Sequence, residues 1–362
     1  MNWLLSGEKA NLDDIAAFLG GRSIRLHAPM VLISQVQRSG GSLLNQLFDG
    51  HPALDAYPQE LRLGYAHQDQ WPELDVDLDS GAIFRSLYDL KFGRLMRRGY
   101  VKGGVAIVSR DQGKLLDRNP ERYRFFLVPR VQYLLFKRLF KDNPPKSQRD
   151  VLNYFFSAFF NAWLDYQGRL ENKKWITAFA PRLAHGDAGA AAFFTRYPDG
   201  RLIQIVRDPR TWYPSAKNHR KSVLEGKETT DLLTMWIEST KSILRNKARY
   251  GDRVIILTFE DMVGRADSTM QRLARELDIE FDPILLEPTF NGSAIKANSS
   301  FAIEQTGIIA APLSRASKLS AEERELIESQ CVPLYDSLAD QALTARADAE
   351  GPVKTLHLSK KA

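Results

Sequence analysis

The sequence predicts an α/β fold with a mostly parallel central sheet flanked by helices. Two observations carry that expectation. Short apolar runs of strand length alternate along the chain with longer segments of helical apolar spacing. Two of those runs, Met30–Ile33 and Arg201–Val206, each break into a short polar turn followed by a helical pattern. That strand–turn–helix unit is the one from which parallel sheets are built.

Taken in order, residues 1–27 read as a short helical lead-in. The first strand–helix unit spans 28–50; its helix is carried by Leu43, Leu44, Leu47 and Phe48 and stops at Gly50-His51-Pro52. Residues 64–82 are acidic and turn-rich and are predicted to be loop. Helical patterns follow at about 83–97, 121–141 and 147–169. A short strand is expected around Trp175–Thr177, a helix at 188–197 and a buried strand at 201–206. Helices near 211–224 and 229–249, a strand over 253–263 and a helix over 267–277 complete the pattern. Residues 1–340 are read as one domain, and 341–362 as a polar, aperiodic tail with the composition of a disordered segment.

Composition narrows the function classes. A chain of 362 residues can bury a large core. Its 50 basic and 44 acidic residues leave a net charge of +6, which suits an anionic ligand and demands neither nucleic acid nor a membrane surface. The single cysteine, Cys331, excludes an internal disulfide framework and fits a reducing cytoplasm. The opening residues lack the basic and apolar regions of a signal peptide, and no stretch approaches the ~20 apolar residues of a membrane span. A cytoplasmic protein is expected. The aromatic run "NYFFSAFFNAWLDY" at 153–166 has two readings, a core helix or a hydrophobic lid against an acceptor, and helical spacing fits both.

The chemistry-bearing stretch is Arg38-Ser39-Gly40-Gly41-Ser42, between the first strand and its helix. N–H groups of Ser39 to Ser42 turned inward would surround an anion, with the helix dipole adding positive charge. A nucleotide-hydrolase loop places Lys before its last Ser or Thr. Here Gly41 takes that place, Gln35 stands where the first Gly belongs, and Arg38 supplies the cation from inside the loop. A second unit repeats the arrangement. Arg207 ends a strand, where α/β sheets bind ligands, and Ser215 lies about two turns into the following helix, placed to meet the same anion. Asp208-Pro209 is a helix start: Asp caps and Pro fills the first turn. The plainer reading of Arg207 is an ion pair with Asp208 or a surface carboxylate.

These stretches together resemble a family. "SQVQRSGGSLLNQLFDGHP" resembles the 5′-phosphosulfate loop of sulfotransferases that use 3′-phosphoadenosine-5′-phosphosulfate (PAPS), and "IVRDPRTWYPSAK" resembles their 3′-phosphate motif. Residues 257–301, with "NSSF", resemble the C-terminal region of bacterial members; order and separation also match, over about 28–60 and 175–301. The resemblance implies a P-loop-like sulfotransferase fold, PAPS as co-substrate without a metal, and transfer to a hydroxyl of a carbohydrate or a small or lipid-linked metabolite. It implies donor binding by Arg38, Ser39, Gly40, Gly41, Ser42, Arg207 and Ser215, with Lys296 and Ser299 helping to hold the nucleotide. Arg38 would also act in catalysis, and Glu60 matches the position of a catalytic carboxylate beyond the His-Pro turn. Burial beside Leu61 and Leu63 is expected to raise the Glu60 pKa. The helical insertion at about 83–170 lies outside the matching motifs, on the expected acceptor side.

His51 and His67 are the rival bases, and His185 is structural by default. Two departures from the family pattern stand out. Gly41-Ser42 replaces a Thr-Thr pair, and Phe179-Ala180-Pro181 stands where the family has Lys-Thr-Pro, leaving Arg182 or Lys174 to replace the missing charge. Two function classes therefore stand side by side: a PAPS-dependent sulfotransferase, and a catalytically weakened nucleotide-binding or scaffold protein of the same fold. Gly41 disfavours a phosphoryl-transferring kinase.

Overall fold

Five strands form one sheet: β1 (Met30–Ser34), β2 (Leu54–Glu60), β3 (Trp175–Phe179), β4 (Arg201–Val206) and β5 (Val254–Thr258). Their spatial order is β2-β3-β1-β4-β5 and every pairing is parallel. The computed structural model describes residues 12–21, 23–63, 71–88, 100–101, 104–105, 122–123, 127, 129–168, 170–219, 228–295 and 306–343. Strands β1, β3 and β5 are buried along their whole length, which is why each reads as a nearly continuous apolar run rather than an alternating one. Successive β1 residues feed opposite faces: Met30 and Leu32 join one apolar cluster, Val31 and Ile33 the other.

The chain leaves β1 for β2 on one side of the sheet and later crosses to β4 on the other. The strand order therefore reverses beside β1, and the C-terminal ends of β1 and β4 open into the crevice where such sheets bind ligands. The helices are α1 (Leu12–Gly20), α2 (Gly41–Phe48), α3 (Ser80–Leu87), α4 (Pro129–Asp142), α5 (Gln148–Ala162) and α6 (Asp187–Arg196). They continue with α7 (Pro209–Lys217), α8 (Thr229–Tyr250), α9 (Phe259–Gly264), α10 (Ala266–Glu276), α11 (Ala321–Gln330) and α12 (Val332–Ala339). Among the described residues, no helix is long and apolar enough to cross a membrane.

Several boundaries differ from the sequence expectation, each for a local reason. Strand β2 was not expected, because Pro58 interrupts its pattern; as an edge strand, with a register break between Ala56 and Glu60, it tolerates the missing N–H. Helix α3 starts at Ser80, inside the expected loop, because the Asp79 carboxylate accepts from Gly81 N at 2.7 Å. The helix expected from 121 begins at Pro129, whose ring suits a first turn and disfavours helix just before it; residues 122–123 are strand instead. Helix α5 ends at Ala162, where Trp163 pairs with Leu127 in an isolated bridge. The strand expected through 263 stops at Thr258, whose hydroxyl accepts from Asp261 N at 3.1 Å and caps α9. Helix α7 starts at Pro209 and ends at Lys217, earlier at both ends than expected.

The region 83–170 is not all helix, since short antiparallel strands pair at 100–101, 104–105 and 122–123. The aromatic run is core. Phe155, Phe156, Phe159 and Phe160 are buried, and the Tyr57 ring lies 4.9 Å from Phe159 and 6.0 Å from Phe156, tying α5 under β2. The expected tail beyond 343 lies outside the described residues.

Candidate active site

Between β1 and α2 the chain turns through residues 35–40, with Arg38 at φ 73° and Gly40 at φ 103°. Glycine is needed at 40 on two counts. The left-handed φ is one, and a Cβ there would lie 2.6 Å from Phe259 Cδ2 and 2.8 Å from Met262 Cε. As the N-cap of α2, Gly40 brings no side-chain cap, so nothing of its own competes for the first-turn N–H groups that a helix start offers to an anion. Ser39 is fully buried in this turn, and its Oγ has no hydrogen-bond partner among the described residues.

The second strand–helix unit clamps the first. Trp212 Nε1 donates to Gln37 O at 2.7 Å, and Arg207 Nη1 donates to Arg38 O at 3.1 Å. Arg207 is itself held by Nε to Thr211 Oγ1 (3.0 Å) and Nη2 to Pro312 O (3.1 Å), with its guanidinium 4.3 Å over the Phe259 ring. Of the plainer reading, the Arg207–Asp208 pair does not form. The Asp208 carboxylate caps α7 by accepting from Arg210 N at 2.8 Å and pairs with the Arg210 guanidinium at 2.7 Å. Behind Arg207, Glu260 accepts from Asp208 N (3.2 Å), Thr211 Oγ1 (3.2 Å) and Tyr335 OH (3.0 Å). Burial holds the Glu260 carboxyl above its usual range.

Ser215 is fully buried, and its Oγ accepts from Arg315 Nη1 at 3.3 Å. Its visible role is thus to place a third arginine. Arg315 comes from the tight turn Ala311–Lys318, and no sequence motif marked it.

Arg38, Arg207 and Arg315 line one cavity of about 240 Å³, together with Gly40, Gly41 and Ser42 of the loop. Burial pushes Arg207 down to about 9, helped by Arg315 and Arg38 and opposed by Glu260. Burial, then Arg38, pushes Arg315 down to about 10; burial lowers Arg38 as well. All three remain cations at neutral pH. They are desolvated and mutually repelling, a state that a multiply charged anion relieves.

Glu60 lines the same cavity from the end of β2, in register with Phe179. Its side chain is 41% exposed, not buried as expected, and Oε2 accepts from Arg62 at 2.8 Å. His219 also lines the cavity, and the sequence reading missed it. The available signal was its spacing, four residues past Ser215 and so on the same helical side. Of the rival bases, His51 is buried in a turn: Nδ1 accepts from Ala53 N at 3.1 Å and Nε2 donates to Glu280 O at 3.0 Å. His185 meets Ser239 Oγ at 3.2 Å. His67, Lys296 and Ser299 lie outside the described residues.

Phe179 sits at the C-terminal end of β3 and lines the cavity. A Cβ added at Gly41 would overlap the Phe179 ring and come within 2.9 Å of Gln35 Cδ. The two departures from the family pattern are therefore one packing solution: the ring takes the room that a side chain at 41 would need. Lys174 does not replace the missing charge. It pairs with Asp278 at 2.8 Å, before the start of β3 and roughly 16 Å of strand from Phe179. Arg182 is adjacent to the loop, its backbone N–H donating to Gln35 O at 3.1 Å.

The sequence model of the Sulfotransferase family matches residues 113–283, a span that includes Arg207 and Ser215 and stops short of the loop after β1. No curated protein matches the chain. Among solved structures it resembles the sulfotransferase domain from the curacin biosynthetic pathway, at 15% identity and TM-score 0.45, covering 84% of this chain and 98% of that one. It also resembles the sulfotransferase domain of the Synechococcus PCC 7002 olefin synthase, at 17% identity and TM-score 0.44, over 85% and 96% of the two chains. A sulfotransferase from Alicyclobacillus acidocaldarius follows at 11% identity and TM-score 0.41, over 87% and 96%. Over residues 113–283, just under half its length, the chain is similar to the Sulfotransferase family.

Proposed function

We propose that the chain transfers a sulfuryl group from PAPS to a hydroxyl of a carbohydrate or of a small or lipid-linked metabolite. The observation that supports this reading best is the convergence of Arg38, Arg207 and Arg315 on one cavity at the start of α2. In this reading Arg38 and the amides of Ser39, Gly40, Gly41 and Ser42 hold the 5′-phosphosulfate. Arg207 and Arg315, the latter placed by Ser215, hold the 3′-phosphate, and Lys296 and Ser299 add contacts to the nucleotide. The acceptor oxygen attacks sulfur in line; the new O–S bond forms as the donor's bridging S–O bond breaks. Charge collects on the departing phosphate oxygen, where preorganised N–H groups and Arg38 stabilise it. Glu60 is the carboxylate on the path of the acceptor proton. Three guanidiniums supply the positive charge, so the reaction runs without a metal ion. The region 83–170 shapes the acceptor side, and a bacterial cytoplasm is the setting that the single, buried Cys331 fits.

A second reading, a protein that binds the nucleotide and transfers nothing, is favoured by one observation: an apolar ring at Phe179 where the family carries lysine. The test is incubation of the full chain with sulfur-labelled PAPS and a host extract, with and without excess EDTA. Label in a new product, undiminished by chelator, is the expected result. No labelled product supports the binding-only reading, and turnover lost in EDTA and restored by Mg²⁺ contradicts the metal-free mechanism.

A further inference from the structure

Helix α7 ends at Lys217, and His219 continues its last turn, with its N–H bonded to Ala216 O at 3.0 Å. One turn past Ser215, its imidazole lines the anion cavity along with Glu60 and Phe179. Of these three, Phe179 has no proton chemistry, and the Glu60 carboxylate is engaged by Arg62. His219 is half-buried and shares the cavity lining with Arg38, Gly40, Gly41 and Ser42 of the donor loop.

We propose that His219 is a catalytic residue of this cavity, taking the proton from the acceptor hydroxyl while Glu60 stabilises the imidazolium that forms. The inference rests on the donor reading given above. The step balances simply. The acceptor O–S bond forms and the donor S–O bond breaks, its electron pair leaving on the 5′-phosphate oxygen. The acceptor proton moves to an imidazole nitrogen and later to solvent.

The surrounding charges give the step its timing. Among the described residues, the charged groups lining the cavity are Arg38 from the loop after β1, Glu60 from β2, Arg207 from the end of β4 and Arg315 from the turn at 311–318. Burial, then Arg38, holds the free imidazole below its ordinary value, against the opposite pull of Glu60. It is therefore neutral at pH 7 and able to accept. A donor whose phosphates sit on the arginines cancels that positive field and brings negative charge close. Both effects raise the basicity of His219 toward neutrality, where a general base works best. Donor binding thus prepares the base before the acceptor reacts.

The test is an NMR pH titration of the full chain labelled at its histidine rings, with the His219 signal assigned by its loss in His219→Gln. It is run on the free protein and with saturating 3′-phosphoadenosine-5′-phosphate (PAP), whose binding is checked by calorimetry. The expected midpoint lies below the ordinary ~6.5 in the free chain and rises by about half a unit or more with PAP. In the labelled-PAPS assay, His219→Gln lowers turnover by about 10²–10⁴-fold, and PAP affinity changes less than about threefold. A midpoint unmoved while PAP is bound, unchanged turnover in His219→Gln, or a wild type that binds PAP and transfers nothing overturns the inference alone. Absence of PAP binding overturns the donor reading, and the inference with it.

Discussion

Arg38 and Glu60 face one cavity but answer to different tests. Arg38 meets the donor in ground state and transition state alike, so Arg38→Ala should weaken PAP binding and turnover together. Glu60→Gln keeps size and hydrogen-bonding capacity while losing the charge. It should lower turnover at least tenfold and leave PAP affinity nearly unchanged, as single-turnover kinetics and calorimetry would show; equal losses in both would remove Glu60 from the proton path. Gly41 and Phe179 form a second pair. Gly41→Thr overfills the space against the Phe179 ring and should cost about 1–3 kcal/mol, read as a lower melting temperature. Phe179→Lys at an unaltered Gly41 is the informative partner variant. Gain of sulfuryl transfer would mark the missing cation as limiting; no gain over an active wild type would mean the three arginines supply the charge needed, and no gain over a silent one would favour the binding-only reading. Arg38 and Arg207 were legible in the sequence because each sits where a strand gives way to a helix. Arg315 was not, because its partner Ser215 lies 100 residues away and no periodic pattern connects them. His219 escaped for a different reason. Its one signal, the four-residue spacing from Ser215, does not by itself set a lone histidine apart from a structural one until the cavity it lines is known.

At the scale of elements, the site is built where α7 grips the loop after β1. The turn at the left-handed Arg38 is held by two donors from that side, Trp212 Nε1 on Gln37 O and Arg207 Nη1 on Arg38 O. Trp212→Phe keeps the buried ring and removes one of them. A net hydrogen bond is worth about 0.5–1.5 kcal/mol, so PAP affinity should fall about two- to tenfold with little loss of thermal stability; unchanged affinity would mean the loop needs no clamp. The strands that carry the site, β1 and β4, were readable because burial on both faces leaves nearly continuous apolar runs, interrupted within β4 only by Gln204. The elements that misled did so where a local cap or proline outranked periodicity. Thr258 ends β5 by capping α9, Pro129 delays α4, and Pro58 hides edge strand β2, from which Glu60 projects. Helices α11 and α12 were not anticipated either, yet Tyr335 of α12 donates to the Glu260 carboxylate behind Arg207.

Across the whole molecule the two edges of the sheet hold opposite electrostatic problems. The C-terminal edge gathers cations for an anion to relieve. The N-terminal edge buries Asp55, which accepts from Tyr166 OH at 3.0 Å and lies 3.8 Å from Lys173 Nζ. Burial raises the Asp55 carboxyl to about 7, against the pull of Lys173 and Tyr166. The folded chain therefore keeps a proton that the unfolded chain, with an ordinary value near ~4, gives up. Between about 4 and 7 this makes stability fall as pH rises, with no further change above that window. Asp55→Asn should flatten the slope of stability against pH from 5 to 7, whatever its offset; an unaltered slope would assign the effect elsewhere. That network was invisible in the sequence, since Asp55 and Lys173 meet only through the pairing of β2 with β3. The opposite edge decides the account. Calorimetry of the full chain with PAP and with AMP compares two ligands that differ by the 3′-phosphate. Contact of that phosphate with Arg207 and Arg315 should contribute roughly 1.5–3 kcal/mol, so PAP should bind at least tenfold more tightly than AMP. Equal affinities for the two nucleotides would contradict the assignment of the arginine cavity to a 3′-phosphorylated sulfuryl donor.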